Sequence, residues 1–306
     1  MTAAVRVRAP GKVNLALSVG PARPDGYHDL ATVFHAVSLF DELHASLAEP
    51  GSGLRVAVDG EGADLVESGP GNLAHRALTI LAERVGVPCD ADVEVHKAIP
   101  VAAGMAGGSA DAAAALVAGA SLWRLRAEVD LAALAADLGS DVPFSLRGGT
   151  AVGTGRGERL TPVLCRGEFH WVLALSRTTL STTAVYAELD RLRGERGEVA
   201  APPRIPDDLM QALRDGDARA LGRSLSNDLQ EAAVSLRPGL SRVLEAGTEL
   251  GALGAIVSGS GPTCAFLARD SEHALDIAAA LTATPEVRSV RCAHGPVPGA
   301  RVVPAG

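Results

Sequence analysis

Aromatic residues are scarce in this 306-residue chain: five Phe, two Trp and two Tyr, so aliphatic packing has to carry the core. Any aromatic in a polar loop therefore stands out. Cysteine is sparse too. Cys89, Cys165, Cys264 and Cys292 are far apart and form no CxxC pair, which argues against a zinc site and a disulfide framework and fits a reducing, cytoplasmic setting. Positive charge is in deficit, with 28 Lys and Arg against 36 Asp and Glu and a formal charge of −8. That balance argues against a broad nucleic-acid-binding surface. A polyanionic ligand would need local potential from backbone amides and a few basic side chains. Long apolar runs are missing. The N-terminus enters Val5-Arg-Val-Arg8 without the apolar segment of a secretory signal, and the most apolar helix, Ala112 to Leu122, is too short to span a bilayer. No internal repeat is evident. The expectation is a cytoplasmic protein, a monomer or weak homodimer, with neither membrane nor nucleic acid as partner.

What is present suits a compact fold: 47% hydrophobic residues against 21% charged, in a chain long enough for one large or two ordinary domains. Residues 3–60 read as strands and turns, with β-type runs at Val13–Val19, Leu30–Leu39 and Leu54–Val58. Asn72 reads as the cap of a helix through Val85, closed by Gly86, and Ala91–His96 reads as a strand. Helices follow from about Gly108 to Arg124 and, capped by Asp130, to Leu138. The five glycines within 148–157 mark a seam between halves, and residues 194–206 a polar, proline-marked loop. Beyond the seam come a strand at Phe169–Leu175, helices from Thr182, at Pro206–Asp215, Asn227–Leu236 and Pro238–Leu250, and a strand at Ala252–Val257. The turn Ser258-Gly-Ser-Gly261, a further strand, a helix near 271–283 and a strand at Val287–Cys292 complete the chain. Mixed hairpins and helices indicate α+β rather than a doubly wound parallel sheet.

The densest signal is Pro100-Val101-Ala102-Ala103-Gly104-Met105-Ala106-Gly107-Gly108-Ser109-Ala110-Asp111, set between an apolar strand and an alanine-rich helix. Small residues let backbone N–H groups approach a ligand, and the helix turns its positive end toward the same spot. That suits an anion, above all the phosphates of a nucleotide. A P-loop is excluded because no Lys follows Gly107-Gly108, and the dinucleotide fingerprint fails on glycine spacing. Taken alone, the segment fits a ligand-free helix-entry turn equally well.

In its wider context, Pro100–Asp111 resembles the phosphate-binding motif of the galactokinase, homoserine kinase, mevalonate kinase and phosphomevalonate kinase (GHMP) superfamily. Ala9-Pro-Gly-Lys-Val-Asn-Leu15 and Val257-Ser-Gly-Ser-Gly-Pro-Thr263 resemble its other two motifs, in the same order and spanning most of the chain. Asp25-Gly-Tyr-His28 and Gly139-Ser-Asp-Val-Pro143 resemble the branch that phosphorylates a diphosphocytidyl methylerythritol in the non-mevalonate isoprenoid route. The resemblance implies a two-domain α+β fold, residues 1–155 resembling ribosomal protein S5 domain 2-like folds and residues 156–306 a ferredoxin-like α/β-sandwich. It implies ATP as phosphoryl donor, bound through residues 100–110 with Mg²⁺.

It also implies Asp141 as the base that accepts the acceptor's proton and Lys12 as its charge partner. By themselves these two read as a turn residue and an edge-strand lysine. An ordinary Asp, of pKa about 3.9, is a weak base for an alcohol. A loose, metaphosphate-like transition state asks little of it early on, so late proton acceptance suffices. Asn14, on the same side of the strand as Lys12, is expected to meet a polyol. Tyr27 would stack on cytosine and His28 bond its edge, with Thr182 and Tyr186 as the second face of the clamp. Tyr27 also fits a turn aromatic that covers the core. No His or carboxylate cluster suggests a dedicated metal site, so Mg²⁺ would arrive with ATP and reach Ser109 at most.

Met105 and Ala106 stand where the family often has Leu and Gly, Ala110 where it has Ser, and Asp111 where Asn is usual. Asp111 adds negative charge beside the phosphates unless it meets a cation, which predicts weaker nucleotide binding. Two alternatives remain: another kinase of the superfamily, against which Asp25–His28 speaks, and a catalytically silent nucleotide-binding regulator, against which Lys12 and Asp141 speak. A structural scaffold would leave the loop's glycines unexplained.

Overall fold

The computed structural model describes residues 4–24, 26–125 and 129–304; Asp25 of the expected acceptor motif lies outside them. Two strands of unusual length open the chain, β1 (Ala4–Ala22) and β2 (His28–Leu47), paired antiparallel. Strands usually run about five or six residues. These reach 19 and 20 because they are bent, with register shifts at Pro10/Gly11, Asn14/Ala16 and Val19/Ala22. Pro10 has no N–H for a ladder and sits where the pairing breaks. The sequence shows only fragments of these strands, since each bend interrupts the alternation.

Next come β3 (Leu54–Gly60), α1 (Leu73–Val85), β4 (Ala91–Lys97), α2 (Gly107–Leu122), α3 (Leu131–Leu138) and α4 (Val142–Arg147). The expected caps are in place: Asn72 accepts from the N–H groups of Ala74 and His75, Asp130 from Ala132 and Ala133, and Gly86 closes α1 at φ 71°. Helix α2 is apolar on all sides because it is enclosed by sheet and helices, as an all-round hydrophobic helix requires. Its Gly119 admits α1 closely, since a Cβ there would stand 2.8 Å from Leu78 and 2.9 Å from Leu81.

The glycine-rich stretch 148–157 corrects the sequence reading. It is no seam: β5 (Thr150–Gly155) pairs with the first half of β2 and with β6 (Arg159–Pro162), while β4 pairs with the second half of β2. Glycines there serve tight turns and close packing on Phe34, not a linker.

The remainder comprises β7 (Phe169–Ser176), α5 (Thr182–Arg196), α6 (Asp207–Asp215), α7 (Ala218–Ser224), β8 (Ser226–Asn227), α8 (Gln230–Leu236) and α9 (Gly239–Glu249). It ends with β9 (Gly254–Val257), β10 (Cys264–Ala268), α10 (Ser271–Leu281), β11 (Val287–Gly295) and β12 (Arg301–Val303). A second sheet runs β11-β7-β10-β9, antiparallel throughout. Strands β8 and β12 return to the first sheet and flank β1. Two expectations shift here. Helix α5 extends into the supposed 194–206 loop, and the helix expected from Asn227 starts at Gln230 because Ser226–Asn227 pairs with β1.

Candidate active site

A cleft of about 1050 Å³ is lined by β1, β2, the 100–109 loop, the start of α4, the β5–β6 turn, α5 and the 258–261 turn. On its first wall the glycine loop coils through three left-handed residues, Ala102 (φ 52°), Gly104 (φ 73°) and Ala106 (φ 60°). Gly104 has no substitute. A Cβ on it would fall 2.1 Å from the Ser258 carbonyl oxygen. Its own carbonyl accepts from Lys12 Nζ at 2.8 Å and Ser258 Oγ at 3.1 Å, locking the loop to both sheets.

Helix α2 starts at Gly107, so the amides of Gly107, Gly108 and Ser109 lie in its first turn and lack intrahelical acceptors. Of the eleven residues expected to bind ATP, Pro100–Gly104 and Ala106–Ser109 line the cleft. Met105 and Ala110 instead sit fully buried in the core. Position 110 therefore belongs to the core rather than to the cleft wall. The Met105 carbonyl accepts from Lys12 N at 3.2 Å, a further stitch to β1.

Lys12 and Asn14 lie between two bends of β1 and face the cleft together. Lys12 Nζ donates to Asn14 Oδ1 at 2.7 Å and stands 3.8 Å from Asp141 Oδ2. Asn14 Nδ2 donates in turn to Thr32 Oγ1 at 2.8 Å, and Thr32 to the Ala16 carbonyl at 2.7 Å. Asn14 is therefore fixed at both ends of its amide. Burial pushes the Lys12 ammonium below its ordinary range, while the charge of Asp141 pulls it back up. Asp141 immediately precedes α4 and makes no cap bond to it, which leaves its carboxylate facing the cleft with Ser140 Oγ 3.4 Å away. Phe34 floors this corner, its ring 5.8 Å from Lys12 Nζ and stacked on Phe144.

The opposite wall holds the other predicted residues. His28 and Tyr186 meet with ring centroids 5.1 Å apart, and His28 Nε2 bonds Asp190 Oδ1 at 2.9 Å. Burial, with the charge of Asp141, raises the Tyr186 phenol above its ordinary value and keeps it neutral. Thr182 Oγ1 pairs with Ser260 Oγ at 2.9 Å. Tyr27 is 54% exposed at the rim, which removes the core-covering alternative, and the Arg156 guanidinium stands 5.5 Å from its ring centre. The 258–261 turn lies beside the phosphate loop, joined to it at the Gly104 carbonyl. Asn227 Nδ2 braces it through the carbonyls of Val257 and Gly259, both at 2.8 Å.

Asp111 does meet a cation. Lys97 Nζ lies 2.5 Å from both Asp111 Oδ2 and Asp41 Oδ2, and Asp41 Oδ1 accepts the N–H groups of Ala98 and Ile99 just ahead of the loop. Burial works against the Lys97 ammonium, but the two carboxylates outweigh it and raise its pKa. Burial pushes Asp111 up to about 8 against the pull of Lys97.

Asp190, Thr32, Lys97 and Arg156 escape the sequence reading. Only two of them carry a local signal: Lys97 closes an apolar strand just before the loop, and Arg156 stands between two glycines.

Comparison with known proteins agrees with this geometry. The family model for the GHMP kinases N terminal domain matches residues 72–149, and that for GHMP kinases C terminal matches residues 209–287. A 4-diphosphocytidyl-2-C-methyl-D-erythritol kinase of Nocardia farcinica is 58% identical, the match covering 98% of this chain and 96% of the relative. Its counterpart in Mycobacterium tuberculosis (strain ATCC 25618 / H37Rv) is 56% identical, covering 99% and 94%. A crystal structure of 4-(cytidine 5'-diphospho)-2C-methyl-D-erythritol kinase superposes with a TM-score of 0.77 at 35% identity, covering 94% of this chain and 98% of that one. With an amide-lined loop facing a lysine–carboxylate pair and homology running end to end, the chain belongs to the GHMP kinase family, in its group of 4-diphosphocytidyl-2-C-methyl-D-erythritol kinases.

Proposed function

We propose that the chain transfers the terminal phosphoryl group of ATP to the 2-hydroxyl of 4-diphosphocytidyl-2-C-methyl-D-erythritol, giving the 2-phosphate and ADP, in the non-mevalonate supply of isoprenoid precursors. The observation that carries this reading is the placement of Lys12 and Asp141, 3.8 Å apart, in the same cleft as the glycine loop. The first-turn amides of α2 and its positive end cradle the phosphates. Lys12, held by the Gly104 carbonyl and Asn14, neutralises charge on the group in flight. Asp141 orients the attacking hydroxyl and takes its proton late, once the bond to phosphorus has largely formed, as a loose transition state permits. Asn14 meets the acceptor's hydroxyls.

Cytosine lies against Tyr27 and Tyr186. Because Asp190 holds His28 through Nε2, the other ring nitrogen is the one offered to the base. The first sheet, the 100–109 loop and the turn before α4 thus supply the phosphate cradle and the reacting pair, and α5 with the 258–261 turn supplies the second face of the acceptor clamp. Mg²⁺ suits this site as a companion of the triphosphate, because it keeps several waters and binds chiefly through phosphate oxygens. Ser109, half-buried in the first turn of α2, is the side chain that would reach it, and the ion would neutralise triphosphate charge.

Turnover of the diphosphocytidyl acceptor by the unaltered chain with Mg-ATP, measured beside homoserine and mevalonate, tests the reading. Product from the first acceptor alone is expected. Asp141→Asn should lower kcat by roughly 10²–10⁴-fold with KM values little changed. A folded Asp141→Asn protein with near-normal kcat would remove Asp141 from the chemistry.

A further inference from the structure

The cleft has to accept two polyanions in a protein of formal charge −8, yet few of the basic side chains that line it are uncommitted. Lys97 is shared by Asp41 and Asp111, and His28 is held by Asp190. Lys12 serves the Gly104 carbonyl, Asn14 and Asp141. Among the described residues, Arg156 is the cleft-lining Lys or Arg that no carboxylate pairs.

Its position is specified by the chain. Arg156 occupies the tip of the β5–β6 hairpin, in a turn closed by Gly157 N donating to the Thr154 carbonyl at 3.1 Å. Both flanking residues are left-handed, Gly155 at φ 73° and Gly157 at φ 109°, a backbone only glycine adopts at little cost. Glu158 fixes the turn by accepting from the Arg156 N–H at 2.7 Å, a bond to the main chain that leaves the guanidinium pointing elsewhere.

Two distances locate that tip relative to the reaction. The guanidinium carbon is 5.5 Å from the centre of the Tyr27 ring. A Cβ on Gly157 would stand 4.0 Å from Asp141 Oδ1. The hairpin tip therefore reaches from the aromatic assigned to the base to the carboxylate assigned to the hydroxyl, with the Arg156 guanidinium beside the aromatic. In a diphosphocytidyl-linked polyol, the group between base and hydroxyl is the diphosphate. A planar guanidinium presents paired donors to phosphate oxygens, a geometry an ammonium lacks.

We infer that Arg156 is a specificity-determining residue that grips the diphosphate bridge of the acceptor, so that acceptors without that charge are rejected. The inference rests on the proposed function and extends it to one residue.

Steady-state kinetics test it, with acceptor varied at saturating Mg-ATP for the unaltered chain, Arg156→Met and Arg156→Lys. Arg156→Met is expected to raise KM for the acceptor about 10–100-fold, with kcat within about threefold and KM for ATP unchanged, the span of a lost charge-assisted pair. Arg156→Lys should recover part of the loss. The fall of kcat/KM with added salt should be shallower in Arg156→Met, because one screened attraction is gone. As competitors of the acceptor, CDP should weaken about tenfold against Arg156→Met while cytidine keeps its inhibition constant.

The side chain is exposed at a hairpin tip, so the variants should fold, and an unchanged melting temperature verifies it. No turnover by the unaltered chain would overturn the proposed function itself. Normal turnover with an unchanged acceptor KM in Arg156→Met would overturn the inference alone. Equal weakening of CDP and cytidine would overturn it too, by assigning Arg156 to the base.

Discussion

The two walls of the cleft, assigned above to donor and acceptor, are made of different materials. The donor wall is main chain: left-handed turns at Ala102, Gly104 and Ala106, then the unpaired amides of Gly107, Gly108 and Ser109. The acceptor wall is side chain, with Tyr27, His28, Thr182, Tyr186 and Arg156 gathered from the start of β2 and the residue before it, from α5 and from a hairpin tip. Main-chain amides read only negative charge and shape, which any nucleoside triphosphate offers. Side chains read a base edge, a ring face and a charge at a set distance. The difference teaches that a wall of side chains can change what it reads without moving the loop, whereas a wall of main chain cannot. Crossing points are few, and Lys12 is the main one, bonded to the loop carbonyl at Gly104 and to Asn14 among the acceptor-facing groups.

The comparison breaks hardest at Gly104. Gly104→Ala places a methyl group 2.1 Å from the Ser258 carbonyl oxygen, backbone against backbone, in a left-handed residue. Neither partner can yield without moving the loop off the 258–261 turn. Destabilisation of roughly 2–4 kcal/mol is expected, with a raised KM for ATP in whatever folds. Gly26 is also left-handed, at φ 81° beside the acceptor residues, but a methyl group there would meet nothing within 4 Å. Gly26→Ala should therefore cost only about 1 kcal/mol. Chemical denaturation of both variants measures the contrast. Equal losses would mean that the close approach to Ser258 adds nothing to the cost of the left-handed backbone.

On the other wall, Tyr27→Ala removes an exposed ring without leaving a cavity. Stacking on a base is worth roughly 1–3 kcal/mol, so the acceptor KM should rise by about 5- to 150-fold. KM for ATP should stay put. A matching rise in both would make Tyr27 a support for the cleft as a whole and blur the division between its walls.

Much of the donor wall is legible in the sequence, because its signal is local: one run of small residues, with a strand before it and a helix after it. Capped helices such as Leu73–Val85 are legible for the same reason, since Asn72 and Gly86 terminate them within the chain. The long bent strands are not, because Pro10-Gly11 interrupts a pattern that resumes beyond it. Stretch 148–157 misleads in the opposite sense, its glycines suggesting a linker where the chain forms a packed hairpin. The support of the site is the least visible part. Asp190 behind His28, Thr32 behind Asn14 and Asp41 behind Lys97 are each joined to their partners by tertiary pairing across 162, 18 and 56 residues, a distance at which no sequence pattern points to them.

Asp111 offers the subtlest way to sharpen the comparison, since it stands under the donor wall as a side chain in a wall of backbone. Two carboxylates, Asp41 and Asp111, share the single Lys97 ammonium, and Asp111 Oδ1 is buried with no hydrogen-bond partner. Burial favours the neutral acid and raises its pKa to about 8, against about 3.9 for a free Asp. Between those values the folded chain holds a proton that the unfolded chain has released. Its contribution to stability is whole below about pH 4 and is eroded as pH rises toward about 8. Asparagine is close in shape to the protonated acid and carries no charge at any of these pH values. Asp111→Asn should therefore lie nearest the unaltered chain at about pH 4 and melt a few degrees higher at pH 8, with a flatter curve between. A melting-temperature series across that range decides it: parallel curves would mean that Asp111 is ionised throughout and that Lys97 satisfies both carboxylates.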